Sequence, residues 1–226
     1  MKFALKLCAL VVGLSIFALG LVFAINANLG LAPWNCLSDG VSKRLPLTFG
    51  QANILVSFVM LAVNLAFRQK IGLATVANMS LVGTFVDIFR TLPLPRGPGA
   101  FGPEGAPSAW GIACGIFLIL CGLAISALGS ILYLGAGFGA GPRDGLMLAL
   151  MRATGKSLAF CRVSLEAGAL ALGFALGGSV GIGTVIASGC NGPVMQFVFK
   201  RFGFKPDEVR HIYLDDQWKA ALKRKT

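Results

Sequence analysis

Leu7 to Ile25 is an unbroken apolar run. At about 19 residues it is long enough to cross a ~30 Å hydrocarbon core as a helix rising 1.5 Å per residue. Five stretches of the same kind follow: Phe49–Phe67, Ile71–Phe89, Ala109–Leu134, Ser157–Leu176 and Val180–Phe199. A chain in lipid must satisfy its own backbone N–H and C=O groups, which leaves only helices or closed barrels. Runs this long and continuous are helices. The charge content agrees: 13% of the 226 residues are charged, against about 25% in a soluble domain. The expected class is an all-α membrane protein with six transmembrane helices.

The second constraint is a repeat. A shift of 109 residues, without a gap, carries Gly13-Leu14 onto Gly122-Leu123 and Ala18-Leu19-Gly20 onto Ala127-Leu128-Gly129. It also carries Gly30 onto Gly139, Pro33 onto Pro142, Leu37 onto Leu146, Gly72 onto Gly181, Thr75-Val76 onto Thr184-Val185 and Gly83 onto Gly192. One constant offset from the first span to the last marks two copies of one unit. Residues 1–90 form the first three-helix repeat and 109–199 the second; 91–108 are a Pro/Gly-rich linker and 200–226 a basic tail. Three spans is an odd number, so the two copies are expected to cross the membrane in opposite directions, as two inverted repeats. Lys2 and Lys6 before the first run, with Val22-Phe23-Ala24 at its end, resemble a signal peptide. Its counterpart in the second copy is internal, so the run is expected to be a true span.

Each copy also holds a short segment too polar to span, Asn28–Thr48 and Gly135–Lys156. Pro33 and Pro142 suit the first turn of a short helix in each. These helices are expected to be interfacial or re-entrant. Asp207–Lys225 is expected to form a surface helix with Trp218 and Leu222 towards the headgroups.

The net charge of +11 does not point to nucleic acid, because the bases lie between and after the apolar runs. Two precede the first span, two follow the second, three lie after the fourth and eight in the tail. The opposite side holds Lys43, Arg44, Arg90 and Arg96. By the positive-inside rule both termini face the cytoplasm, in a bacterial inner membrane. None of the six cysteines forms a CxxC, and the one histidine, His211, lies in the tail. No GxSxG, HExxH, P-loop or dinucleotide fingerprint occurs. The chain is therefore expected not to be an enzyme and to hold neither metal nor cofactor.

Gly141-Pro142-Arg143-Asp144 has good helix-start chemistry. If that helix dips into the membrane, its free N–H groups make a positive end for an anion, and Arg143 adds a forked donor. Otherwise it is a capped interfacial helix, with Asp144 as cap and Arg143 on lipid headgroups. The first copy places Pro33, Trp34 and Asn35 at the matching positions, so any site is asymmetric. Arg162 and Glu166 are four apart in the fifth span, hence on one helix face. Charges there are costly unless paired or wet, so the two either serve a polar path or neutralise each other. Asp87, near the end of the third span, is a further candidate for gating or proton carriage, or an interfacial ion-pair partner. Asn53, Asn64, Asn78, Asn191 and Gln196 read singly as interhelical hydrogen-bond glue and together as a polar interior.

Gly139 to Met147, followed by Arg162 and Glu166 and then Gly181-Ile182-Gly183-Thr184, resembles the YczE/YitT group of bacterial integral membrane proteins, and YczE more than YitT. The likeness covers nearly all of residues 1–200, although Asn35 stands where many relatives have Asp. The resemblance implies membrane location, six spans, and Arg143, Asp144, Arg162 and Glu166 as signature residues, without a substrate. The expected function is a small-solute transporter or channel-like protein, with an anionic or zwitterionic solute held between the halves. The alternative is an accessory protein that assembles with a membrane partner or as a homo-oligomer. The two differ in whether Arg162 and Glu166 face a water-accessible cavity or are sealed against each other.

Overall fold

The computed structural model describes residues 3–69, 71–97, 108–139, 141–206 and 209, without the side chain of Asp144. Eight helices occur among them: α1 (Phe3–Asn26), α2 (Pro33–Arg44), α3 (Phe49–Ala66), α4 (Leu73–Arg90), α5 (Ala109–Gly135), α6 (Pro142–Thr154), α7 (Leu158–Ala175) and α8 (Ile182–Arg201). Six of the eight, all but α2 and α6, are long and apolar enough to cross a membrane. The chain is an all-helical integral membrane protein in contact with lipid. Helices α2 and α6 have 12 and 13 residues, about 18 and 20 Å of helix, too short to cross the hydrocarbon core. Both begin on the expected proline, and α2 stops at Arg44, before Pro46. The expected tail helix at 207–225 falls almost wholly outside the described residues.

Lipid tails are as apolar as leucine, so burial from water does not hold these helices together. Close backbone approach does, and small residues permit it. Helices α1 and α5 form the most extensive interface. A Cβ on Gly13 would lie 2.9 Å from the Gly129 carbonyl oxygen, and one on Gly122 would lie 2.5 Å from that of Gly20. Gly13 and Gly122 are matched by the 109-residue shift, as are Gly20 and Gly129, so each contact is the other's counterpart. Between them the Ser126 hydroxyl donates to the Phe17 carbonyl at 3.3 Å, and these two positions are each other's match.

The same reciprocity ties the outer helices on. The Ala74 N–H donates to the Phe138 carbonyl at 3.0 Å, and the Gly183 N–H to the Leu29 carbonyl at 2.7 Å. These bonds press Gly139 onto Gly72 and Gly30 onto Gly181. Gly30 and Gly139 carry φ of +103° and +106°, a region that glycine occupies freely and other residues avoid. The turn before each short helix is thereby fixed to the start of a long helix in the other half. Asn64 Nδ2 donates to the Pro142 carbonyl at 2.7 Å and anchors the start of α6 on α3. On the opposite side, Gly173 and Gly178 of α7 and its following turn seat Cys36 and Leu37 of α2.

Two arrangements differ between the halves. Helices α3 and α4 are packed together, with Gly50 and Gly83 in backbone contact. Helices α7 and α8 share no comparable interface: Gly192, matching Gly83, has nothing within 4 Å of where its Cβ would be, and neither does Gly189. The bases at the end of α2 also have a local reason. Arg44 Nε and Lys43 Nζ donate to the Leu176 and Gly177 carbonyls at 3.2 and 3.1 Å, capping the negative end of α7.

Candidate functional site

The starts of α2 and α6 approach each other through one side-chain pair. The Arg143 guanidinium carbon lies 5.5 Å from the centre of the Trp34 ring. These are matching positions under the shift, so the pair marks where the two halves face each other. A cavity of about 400 Å³ opens around them, large enough for a small molecule. Pro33, Trp34 and Asn35 enter it from α2, and Pro142 and Arg143 from α6. Two helix N-termini therefore bring their unbonded N–H groups, each a partial positive charge, to one cavity.

Arg162 and Glu166 of α7 line the same cavity. Arg162 Nε reaches Glu166 Oε1 at 3.1 Å, with the two side chains 50% and 29% exposed. The pair is therefore made but not sealed. Across from it, Asn53 and Ser57 of α3 line the cavity at the matching positions, buried and uncharged. Asn78 and Asn191 add carboxamides from α4 and α8, and Ser126 and Ser130 add hydroxyls from α5. The cavity extends to Tyr133, Met195 and Phe199, near the C-terminal ends of α5 and α8. Its described charged groups are Arg143, Arg162 and Glu166, beside the two helix ends.

Asn35 is only 4% exposed, yet its Oδ1 accepts no hydrogen bond. An unpartnered buried amide oxygen is costly and uncommon. Asn64 Oδ1 is also unpartnered, but its Nδ2 is committed to Pro142 and it does not line the cavity.

Asp87 stands apart from the cavity. Its carboxylate accepts the Thr48 hydroxyl and the Gly50 N–H, the latter at 2.8 Å. It sits on the positive start of α3 and ties that start to the end of α4. Thr48 also forms a capping box with Gln51, so Gln51 belongs to a helix start and not to the bundle's polar interior. The backbone of Asp144 lies in the first turn of α6, and its side chain is outside the description. Among the described residues no group of His, Cys, Asp and Glu could hold a metal, and all six thiols are free.

Of the expected residues, Pro33, Trp34, Asn35, Pro142, Arg143, Arg162 and Glu166 come together, and Asp87 does not. The sequence reading missed Ser126 and Ser130 of α5 as lining residues.

A family of unknown function, DUF6198, matches residues 4–200. A Haemophilus influenzae protein described as uncharacterized is 32% identical over 188 residues, covering 83% of this chain and 80% of its own. The uncharacterized membrane protein YczE of Bacillus subtilis is 28% identical over 189 residues, covering 82% and 81%. Bacillus subtilis YyaS, also described as uncharacterized, is 26% identical over 189 residues, covering 83% and 89%. No solved structure matches. A match over most of the chain, joined to six apolar helices and a likeness to YczE, places the chain: it belongs to the DUF6198 family of YczE-like proteins.

Proposed function

We propose that the chain is a small-solute transporter that works by alternating access between two inverted three-helix repeats, moving an anionic or zwitterionic solute. The observation that carries this reading is the cavity where the starts of α2 and α6 approach each other, with Arg143, Arg162 and Glu166 on its wall. Broken or short helices whose positive ends point into a mid-bundle cavity are a recurring solution in secondary transporters. The reciprocal contacts at a shift of 109 residues support the repeat, and the difference between the halves supports the cycle. Helices α3 and α4 are closed on each other at Gly50 and Gly83; α7 and α8 are apart at the matching Ala159 and Gly192. Exchanging the two arrangements would close the cavity on one side and open it on the other. The excess of bases before α1, after α3 and in the tail supports cytoplasmic termini in a bacterial inner membrane. In that orientation the open α7–α8 end faces the cytoplasm.

The test is a crosslink. With the native cysteines replaced, Ala159→Cys and Gly192→Cys should become oxidisable to a disulfide in membranes as the protein cycles. A pair that never crosslinks, under any condition, would end the alternating-access reading. The second reading, an accessory protein assembling with a partner, draws only on the mutual pairing of Arg162 and Glu166. Their shared exposure to the cavity counts against it.

A further inference from the structure

We propose that Asp39, Lys43 and Arg44 form a latch that holds the outer end of the bundle shut, and that its poorer counterpart at the inner end sets a resting conformation open to the cytoplasm. This rests on the transport and orientation readings above and adds what biases the cycle between its two states. The latch ties the end of α2 to the turn after α7. Lys43 Nζ donates to Ser179 Oγ at 2.9 Å and to the Gly177 carbonyl at 3.1 Å. Asp39 Oδ2, 2.8 Å from the same Nζ, accepts the Ser179 N–H at 2.8 Å. Arg44 Nε donates to the Leu176 carbonyl at 3.2 Å. The Ser179 carbonyl in turn accepts the Leu31 N–H at 3.0 Å, and Leu31 lines the cavity. The latch is therefore bonded through to the cavity wall.

The 109-residue shift places a counterpart at the other end. Lys43 matches Arg152, near the end of α6, and Arg152 Nη1 donates to Gln69 Oε1 at 3.2 Å, just beyond α3. Each short helix thus uses one base to hold the end of a long helix in the other half. The rest is not copied. Asp39 matches Leu148 and Arg44 matches Ala153, so the inner end lacks the carboxylate and the second base in whatever conformation it adopts. Helix α2 also seats on α7 more extensively than α6 does on α3. A separate asymmetry runs the same way: Gly50 and Gly83 touch at the outer ends of α3 and α4, while α7 and α8 stand apart at the inner end. Ends related by the repeat therefore differ in one direction, at two sets of helices. Opening the outer end breaks four hydrogen bonds between α2 and the α7 turn. Closing the inner end offers only Arg152 at the matching positions. Unequal contacts in two states set their populations.

The test uses the Ala159→Cys, Gly192→Cys crosslink, whose initial rate follows the population with the inner end closed. In a chain without native cysteines, Asp39→Leu, which copies the second repeat, and Lys43→Met should each raise that rate by at least about threefold, a modest figure for charged hydrogen bonds because the site is partly exposed. Arg152→Met, which weakens the inner end, should leave the rate unchanged or lower it. Ser188 is exposed and lines the cavity from α8. As Ser188→Cys in a separate background, it should be labelled faster by a membrane-impermeant maleimide added outside in the same two latch variants. Melting temperatures in detergent check that each variant is folded, and either latch variant alone suffices. Crosslinking in the parent chain that neither variant speeds would reduce the latch to a helix cap and leave transport standing. Faster crosslinking without faster labelling from outside would mean a loosened α7 and would also overturn the latch. No crosslink in the parent or in any variant would remove the transport reading and the latch with it.

Discussion

Replacing Asn35 by leucine should make the empty protein more stable. Asparagine and leucine are close in size, and the site is 4% exposed, so the change removes the carboxamide with little change of volume. The native Oδ1 sits in the fold with no hydrogen bond. Leaving a buried polar atom unsatisfied costs about 1–3 kcal/mol, which an apolar replacement recovers. For a chain of this length each kcal/mol corresponds to about 2–4 °C in melting temperature. The expected rise is therefore roughly 2–12 °C, read by fluorimetry in detergent at one scan rate, so that irreversible unfolding does not confound the comparison. Asn35→Ala is the control: it removes the same oxygen but opens a hole, so gain and loss nearly cancel. A melting temperature lowered by several degrees in Asn35→Leu would refute the reasoning. It would mean that Oδ1 is satisfied in the resting protein and that Asn35 is a structural residue.

Other substitutions separate architecture from site. Gly20→Val should prevent accumulation of a monodisperse protein, because its Cβ would meet the Ser126 backbone nitrogen at 2.5 Å and α1 would have to leave α5; size-exclusion chromatography reads this directly. Gly189→Ala, with nothing within 4 Å, should be neutral or up to about 1 kcal/mol stabilising through helix propensity, measured as the melting temperature. Asp87→Ala should cost about 1–3 kcal/mol by stripping the Thr48 and Gly50 bonds from the start of α3, with Asp87→Asn milder, since one amide oxygen remains to accept. Arg162→Gln and Glu166→Gln should each move the melting temperature little, since a pair this exposed is worth only about 0–1 kcal/mol, while weakening solute binding strongly. A collapse of the fold in either would make the pair structural.

The sequence revealed most of the scaffold because membrane spans are written as long apolar runs. Five of the six spans sit within two residues of their expected limits, and α1 starts at Phe3, earlier than Leu7. Pro33 and Pro142 open the short helices because a proline costs nothing where no N–H bond is made. Hydropathy cannot say which face of a span looks inward. Asn53 and Asn64 lie on the same helix with the same chemistry, yet one lines the cavity and the other holds Pro142. For Asp87 the sequence left gating and an interfacial role both open, and its partners, Thr48 and Gly50, could be named only from the packed structure. The contrast between the α3–α4 and α7–α8 pairs was not legible at all. Gly83 and Gly192 are the same residue at matching positions, and only the packed structure separates them.

The glycine contact between α1 and α5 bears on how the chain is made. It joins α1 to a helix that follows only after two more membrane helices and a short one. Until α5 is inserted, α1 has no partner for Gly13 and Gly20, and α4 lacks the Phe138 carbonyl that receives its Ala74 N–H. Helices α3 and α4 can close on each other beforehand, but these particular contacts form only once α5 is in place. Two separately synthesised segments, divided in the 91–108 linker, would therefore meet through the α1–α5 glycines and the Ala74–Phe138 and Gly183–Leu29 bonds.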